Sequence, residues 1–471
     1  MSYFRLGTIS LLILFAPLLQ AQDLTPIGNE FRVNQVTANE QSLAHVASDT
    51  AGSYVIVWRS WNQGSTGGSI WARRYGADHV ALTPEFVVAT GLGSSDRPYV
   101  YRWSEGRFVI VWLQGSLTKM RVLAADDGLG DVYDLSIGAD FDIDIRHDEL
   151  LVAYTSNQHI RLRKWDLITN EWMAAPEQAS EAPAANYQLP QVRWTSTGGI
   201  VAVYRGGSPS PHHIYRKTFN SDLLAQTPEA SVYSVNGSLG VINVSINAQD
   251  QLLIYARSGV NGTDVFAGRI LDADGNQLVA SVGSMSAPYA YYYSDCELYD
   301  GGAVVLTNNY KTGLSDPQDY CVRANYGLYL GSSFTGFQIA STTSSGVQKF
   351  PAVAKLPEGG FIMVWNGNGF QGDADGVYAR AFSATDFPTA MTERNAMAVE
   401  AWPNPFSDQL FISVDASTPL EVIDATGRVV HSRRLLPGTT ALGLPELRPG
   451  AYILRWHAAD GTPLVERVVK H

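Results

Sequence analysis

A short apolar run that returns seven times is the feature that most constrains what this chain can fold into. It first reads Val55-Ile56-Val57-Trp58 and recurs at 109–112, 151–154, 201–204, 252–255, 303–306 and 362–365. Each run follows a Gly or polar turn, such as Thr50-Ala51-Gly52-Ser53 or Pro357-Glu358-Gly359-Gly360, the chemistry of a hairpin. A second β segment with a basic residue comes after it, Ile70-Trp71-Ala72-Arg73-Arg74-Tyr75 in the first unit and Val377-Tyr378-Ala379-Arg380-Ala381-Phe382 in the last. Upstream lie a strand such as 42–47 or 350–354 and an opening strand such as 30–33 or 85–88. Four strands in a period of roughly fifty residues are what a propeller blade requires. The continuous apolar run then means a strand buried on both faces. Seven blades fit residues 28–382. Separate β-sandwich domains would instead show a superperiod of two units.

Composition agrees with an all-β chain. Of 471 residues, 17% are charged, while 43 are Gly and 11% are aromatic, the balance of many short strands joined by tight turns. The formal net charge of -12 repels phosphate backbones, so nucleic acid is not an expected partner. The basic residue at the end of each unit (Arg73, Arg121, Arg163, Arg216, Arg269, Arg323, Arg380) reads as a recurring structural contact rather than seven ligand sites. The units resemble the repeats of large secreted bacterial proteins, most closely in the first and last unit, which implies an extracellular repeat structure and names no substrate.

The N-terminus carries export signals: Arg5, the apolar run 11–15 and the small-residue site Leu19-Gln20-Ala21 make residues 1–21 a signal peptide. That run is too short for a transmembrane helix, and no other stretch approaches the length needed. An oxidising destination favours a disulfide between the two cysteines, Cys296 and Cys321, with two buried, unpaired thiols as the alternative.

Residues 383–398 read as a linker. After them come Trp402-Pro403-Asn404-Pro405-Phe406, then Asp424-Ala425-Thr426-Gly427-Arg428, then Pro449-Gly450-Ala451-Tyr452 and a basic end with Lys470. The prolines fix an extended entry, and Asp424–Gly427 and Pro449-Gly450 are turns of a small β-sandwich. These three ordered motifs over residues 399–471 resemble the type A C-terminal sorting domain of the type IX secretion system. The resemblance implies recognition by that machinery at the outer membrane, with Pro403, Asn404, Pro405, Phe406, Gly427, Arg428, Gly450, Tyr452 and Lys470 as the motif. It also implies a secreted or cell-surface product and, in general, removal of the tail.

No catalytic motif is present: the sequence contains no His-Glu-x-x-His, Gly-x-Ser-x-Gly, P-loop or dinucleotide fingerprint. The pair His212-His213 points to opposite faces of a strand and makes no two-ligand site. Asp140, Asp142 and Asp144 share one strand face, which we read as an exposed acidic face rather than a metal-binding row. The acidic turns 272–276 and 372–376 lack the bidentate Glu of a calcium loop and read as plain turns, so no cofactor is expected and Ca²⁺ is the only weak candidate. Tyr289, Tyr291, Tyr292 and Tyr293 could stack on sugars or fill blades. Rigid blades with variable loops and no catalytic set give the expectation of a non-enzymatic binding or adhesion protein, its glycan or protein ligand on the propeller loops. The alternative is a carbohydrate-active hydrolase or lyase whose groups converge on the axis from different blades. A surface-layer component is a third possibility.

Overall fold

The computed structural model describes residues 25–383 and 406–471 apart from short loop segments, of which 312–319 and 329–337 are the longest. Contacts divide the chain into two units, residues 1–390 and 391–471.

The first unit is a seven-bladed β-propeller made of seven antiparallel sheets. Blade 1 runs outward from Gln41–Ser48 through Tyr54–Trp61 and Gly68–Tyr75 to Phe86–Leu92. The innermost strands of blades 2 to 7 are Pro98–Ser104, Phe141–Arg146, Gln188–Trp194, Ser238–Ile246, Ser294–Leu298 and Gln348–Lys355. Each packs against the next, and Gln348–Lys355 returns to Gln41–Ser48, so the ring is closed. Blade 7 takes its outermost strand from the N-terminus, where Thr25–Arg32 pairs with Gly376–Ser383. The strands that open each unit in the sequence therefore finish the preceding blade in space: Phe86–Leu92 belongs to blade 1, not blade 2. The strand Thr25–Arg32 thus locks the last blade by backbone pairing and forms its outer edge.

The apolar runs are the second strand of each blade, and alternation divides them between two junctions. Tyr54, Ile56 and Trp58 face blade 7, while Val55 and Val57 face blade 2. The same division holds for Phe108, Ile110 and Trp112 against Val109 and Val111. Every junction has its own apolar cluster, so the hydrophobic core is a ring of seven interfaces with the axis left free. In blades 5 and 6 the positions corresponding to Trp58 are Ala256 and Asn308 by register, one and two residues beyond the sequence-defined runs.

Three of the recurring arginines cap carbonyls at blade edges. Arg73 donates to Val33 O at 2.9 Å, Arg121 to Val88 O at 2.8 Å and Arg380 to Ala340 O at 3.3 Å, in each case at the outer edge of the preceding blade.

The expected disulfide is not formed: Cys296 and Cys321 are buried free thiols. Cys296 pairs with Leu306, which pairs with Asn325, whereas Cys321 pairs with Tyr310 four residues further along. Two strand spacings sideways and four residues lengthwise put the Cα atoms roughly 16 Å apart, well beyond the ~7 Å that a disulfide tolerates.

The second unit is a β-sandwich of two sheets, Gln409–Val414 with Gly438–Gly443 and a four-stranded sheet containing Thr418–Ile423, Val429–Leu435, Gly450–His457 and Pro463–Lys470. It has its own core, which includes Phe406, Leu420, Tyr452, Trp456 and Val468.

Candidate functional site

Blade geometry creates the site. On an innermost strand every second side chain points to the axis, and the seven strands enclose a cavity of about 850 Å³. Register places His45, Tyr99, Asp142, Gln191, Asn243 and Asp295 at one level. Tyr101, Asp144, Arg193, Ser245 and Glu297 lie two residues further along the same strands.

Many of these groups clasp one blade to the next. His45 Nδ1 accepts the Val100 N–H at 3.3 Å. Asp142 Oδ2 accepts Val192 N–H at 2.9 Å, Asp144 Oδ2 accepts Trp194 N–H at 2.7 Å, and Asp295 Oδ2 accepts Val353 N–H at 3.0 Å. The Ser245 hydroxyl accepts Leu298 N–H and donates to Glu297 Oε2 at 2.7 Å. A closed ring of twisted sheets leaves inner-strand backbone donors facing neighbouring blades, and these side chains satisfy them.

The row Asp140, Asp142 and Asp144 is accordingly not an exposed acidic face: it points into the cavity, and Asp142 is buried. Asp140 Oδ2 accepts from Leu189 N–H and from the Thr155 hydroxyl. Two carboxylates separated by one residue on a strand lie about 7 Å apart, a spacing that would suit an inverting glycosidase. Asp142, however, is already paired with Arg193 Nη1 at 2.5 Å, so the two do not form a free acid and base.

Burial displaces several of the cavity groups. It raises the Asp295 carboxyl to about 7, with Glu297 adding to the shift against the opposing Val353 N–H, and raises Asp144 to about 6 despite the Arg193 charge. His45 is lowered to about 3 by burial and then by the Arg97 charge, so it is neutral at ordinary pH. Its Nδ1 accepts from Val100, which leaves the hydrogen on Nε2. Tyr101 is pushed well above the ordinary tyrosine value by burial and by Asp142. For Arg193 burial opposes the charge, but Asp142 and Asp144 outweigh it and raise the pKa.

Aromatic faces border the same space. The ring centroids of His45 and Tyr99 are 5.3 Å apart, and those of His45 and Tyr101 are 6.2 Å apart. Tyr293 stands edge-on to Phe350 at 4.2 Å. Arg97 lies over both Tyr99 and Tyr293, at 5.3 and 5.5 Å from the ring centroids. Of the tyrosine cluster noted in the sequence, Tyr293 lines the cavity, and Tyr289, Tyr291 and Tyr292 lie outside the described residues.

The site residues His45, Arg97, Tyr99, Tyr101, Arg193 and Asp295 were missed in the sequence, although a signal for three of them, His45, Tyr99 and Asp295, existed. Aligning the units on the strand before each apolar run stacks His45, Tyr99, Asp142, Gln191, Asn243 and Asp295 in a single polar column. No spacing within one unit reveals it.

Among the described residues no group of three or more His, Cys, Asp or Glu is placed to hold a metal ion. At the turn 272–276 the Asp272 carboxylate accepts from Asn276 N at 2.7 Å and Asn276 Nδ2 at 3.0 Å. Asp373, in the second acidic turn, accepts from Asn34 Nδ2 at 3.0 Å.

In the second unit the two ends of the sorting motif meet. Phe406 N donates to Val469 O and His471 N to Phe406 O. Lys470 Nζ donates to Ser407 O, to Leu444 O at 2.9 Å and to Asp408 Oδ1 at 3.2 Å, and lies over the Phe406 ring. Tyr452 donates to Arg448 O, and Arg428 closes the turn on Asp424. Gly450 begins the strand Gly450–His457. Pro403, Asn404, Pro405 and Gly427 lie outside the described residues, as does the expected signal peptide. No helix among the described residues is long and apolar enough to cross a membrane.

Residues 400–471 match the secretion system C-terminal sorting domain. The chain therefore carries a type IX secretion tail and is exported to the cell surface or beyond. No curated protein matches the chain. Among solved structures it is similar to a polysaccharide lyase described as an ulvan lyase, with 11% identity, a TM-score of 0.47 and coverage of 72% of this chain and 94% of that one. It is also similar to a protein of unknown function from Dyadobacter fermentans (9% identity, TM-score 0.45, coverage 76% and 99%) and to an α-L-arabinanase from Penicillium chrysogenum (10%, 0.40, 77% and 97%). The expectation of a non-enzymatic binding or adhesion protein is corrected by these comparisons: the two structures of stated activity named above are enzymes.

Proposed function

We propose that this protein is an extracellular carbohydrate-active enzyme that cleaves a polysaccharide in the axial cavity of its propeller. The observation that carries this reading is the pair of half-buried carboxyl groups, Asp295 raised to about 7 and Asp144 to about 6, in one cavity with Tyr101 and neutral His45. General acid–base catalysis is most effective when the group titrates near the working pH, and a strongly raised carboxyl in a cleft is a functional-site candidate.

Asp295 is the better candidate, since Asp144 faces the full charge of Arg193. Protonated, Asp295 can deliver a proton to a leaving glycosidic oxygen; ionised, it can take one. Tyr101 stays protonated and can act only as a donor. His45 can donate through Nε2 without carrying charge. Tyr99 and Tyr293 offer flat apolar faces of the kind on which sugar rings stack. The sorting tail supplies the address and takes no part in the chemistry.

The test is incubation of the full chain with a panel of neutral and acidic polysaccharides, following both reducing ends and the ultraviolet absorbance of unsaturated sugar. Reducing ends alone mean hydrolysis, and both signals together mean elimination. Neither signal from any polysaccharide that the protein demonstrably binds would overturn the reading.

A further inference from the structure

The cations of the cavity are not equivalent. Arg193 is held by Asp142 and by Val244 O at 2.7 Å. Lys355 Nζ lies 3.3 Å from Glu297 Oε2. Arg97 has no carboxylate within salt-bridge distance among the described residues, and its buried Nε has no hydrogen-bond partner there. Its guanidinium instead lies over Tyr99 of blade 2 and over Tyr293, the residue preceding the innermost strand of blade 6.

An arginine held within cation–π range of two aromatic rings is oriented by them while its N–H fork remains free to bind an oxyanion. Leaving such a charge unpaired in a half-buried position costs stability unless a ligand completes it. The neighbouring groups keep it unpaired. His45 stays neutral beside it and Asp295 is largely protonated below neutrality, so neither screens an incoming anion.

We propose that Arg97 is an oxyanion subsite and that the polysaccharide this protein takes is acidic, bearing a carboxylate or sulfate that the Arg97 fork receives while a sugar ring lies against Tyr99 or Tyr293. This rests on the reading of the cavity as a glycan-cleaving site and adds the class of glycan. A neutral chain would leave the Arg97 fork empty on binding and would gain nothing from it.

The test compares the full-length protein with Arg97→Gln and Arg97→Lys, using calorimetric binding of oligogalacturonate, sulfated dextran and plain dextran, with cleavage followed in parallel. Arg102→Gln, which alters an exposed cation at the cavity rim, controls for loss of general charge. The expected result is tighter binding of one anionic ligand than of plain dextran and a loss of about ten- to a hundredfold in Arg97→Gln, the usual worth of a charged hydrogen-bonded contact. Arg97→Lys should be intermediate, and Arg102→Gln near wild type. Preference for oligogalacturonate assigns a carboxylate, and preference for sulfated dextran a sulfate. Equal binding by wild type and both Arg97 variants, or tightest binding of plain dextran, would overturn the proposal. Arg97-dependent anion binding without cleavage of any polysaccharide would uphold the subsite and sink the enzymatic reading; cleavage of neutral chains unaffected by Arg97→Gln would do the reverse.

Discussion

Replacing Asp295 by Asn tests the central electrostatic argument, because an amide keeps the shape and cannot titrate. Burial lifts the folded-state value to about 7 from an ordinary 3.8. The folded protein therefore binds more protons than the unfolded chain between these values, and stability falls as pH rises through that window. At pH 5.5 the unfolded carboxyl is already ionised and the folded one is not, so the slope is near its maximum of about 1.4 kcal/mol per pH unit until the folded group ionises near 7. From pH 5.5 to 8 the wild type should lose about 2 kcal/mol on this account, reduced to about 1 kcal/mol for the residual solvent exposure of the group. The variant lacks this loss. Asn, like the protonated carboxyl, offers one carbonyl acceptor to the two N–H donors, Val353 and Cys296, so the two proteins should be close in stability at pH 5.5 and the variant about 1 kcal/mol the more stable by pH 8. Urea unfolding of both proteins at the two pH values, followed by tryptophan fluorescence, measures the difference directly. An unchanged gap between variant and wild type would mean that Asp295 is ionised throughout, and the general acid–base assignment would fall with it.

Trp58→Ala empties a fully buried position at the junction of blades 1 and 7 and should cost about 3–5 kcal/mol, read as a lower urea midpoint. Lys470→Ala strands the carbonyls of Ser407 and Leu444 and should destabilise the tail by about 1–3 kcal/mol. The variant should accumulate inside the cell, and normal export of a tail with lowered thermal stability would show that this lysine is not needed for a transportable fold. Both cysteines are buried and free, so the unreduced protein should titrate two thiols after denaturation and almost none before. Finding none in denaturant would restore the disulfide. Calcium should leave the thermal midpoint unmoved, because the Asp272 carboxylate is already committed to its own turn.

Seven apolar runs, each continuous because alternate residues face opposite neighbours, announce strands buried on both faces, and their number equals the number of blades. The tail was legible as well, since its proline entry, turns and penultimate lysine lie in order along the chain. Which strand of a unit lies innermost was not legible: the period of two says that side chains alternate, not what they alternate between. Hence Asp140, Asp142 and Asp144 looked like an outer face, and the opening strands were assigned one blade late. The cysteines were misjudged for a related reason, because compartment permits a disulfide but only register decides whether two Cα atoms can approach.

What the sequence determined by itself is local and periodic: the strand content, the repeat count, the export address and the absence of any contiguous catalytic motif. What only the tertiary structure decided is the axis. Closing the ring with Thr25–Arg32 brings one polar residue from each of several distant strands to a single level, and it puts the guanidinium of Arg97 over Tyr293. Burial there shifts Asp295 to about 7. Desolvation and charge coupling depend on distances through space, which a linear chain fixes only when it has folded.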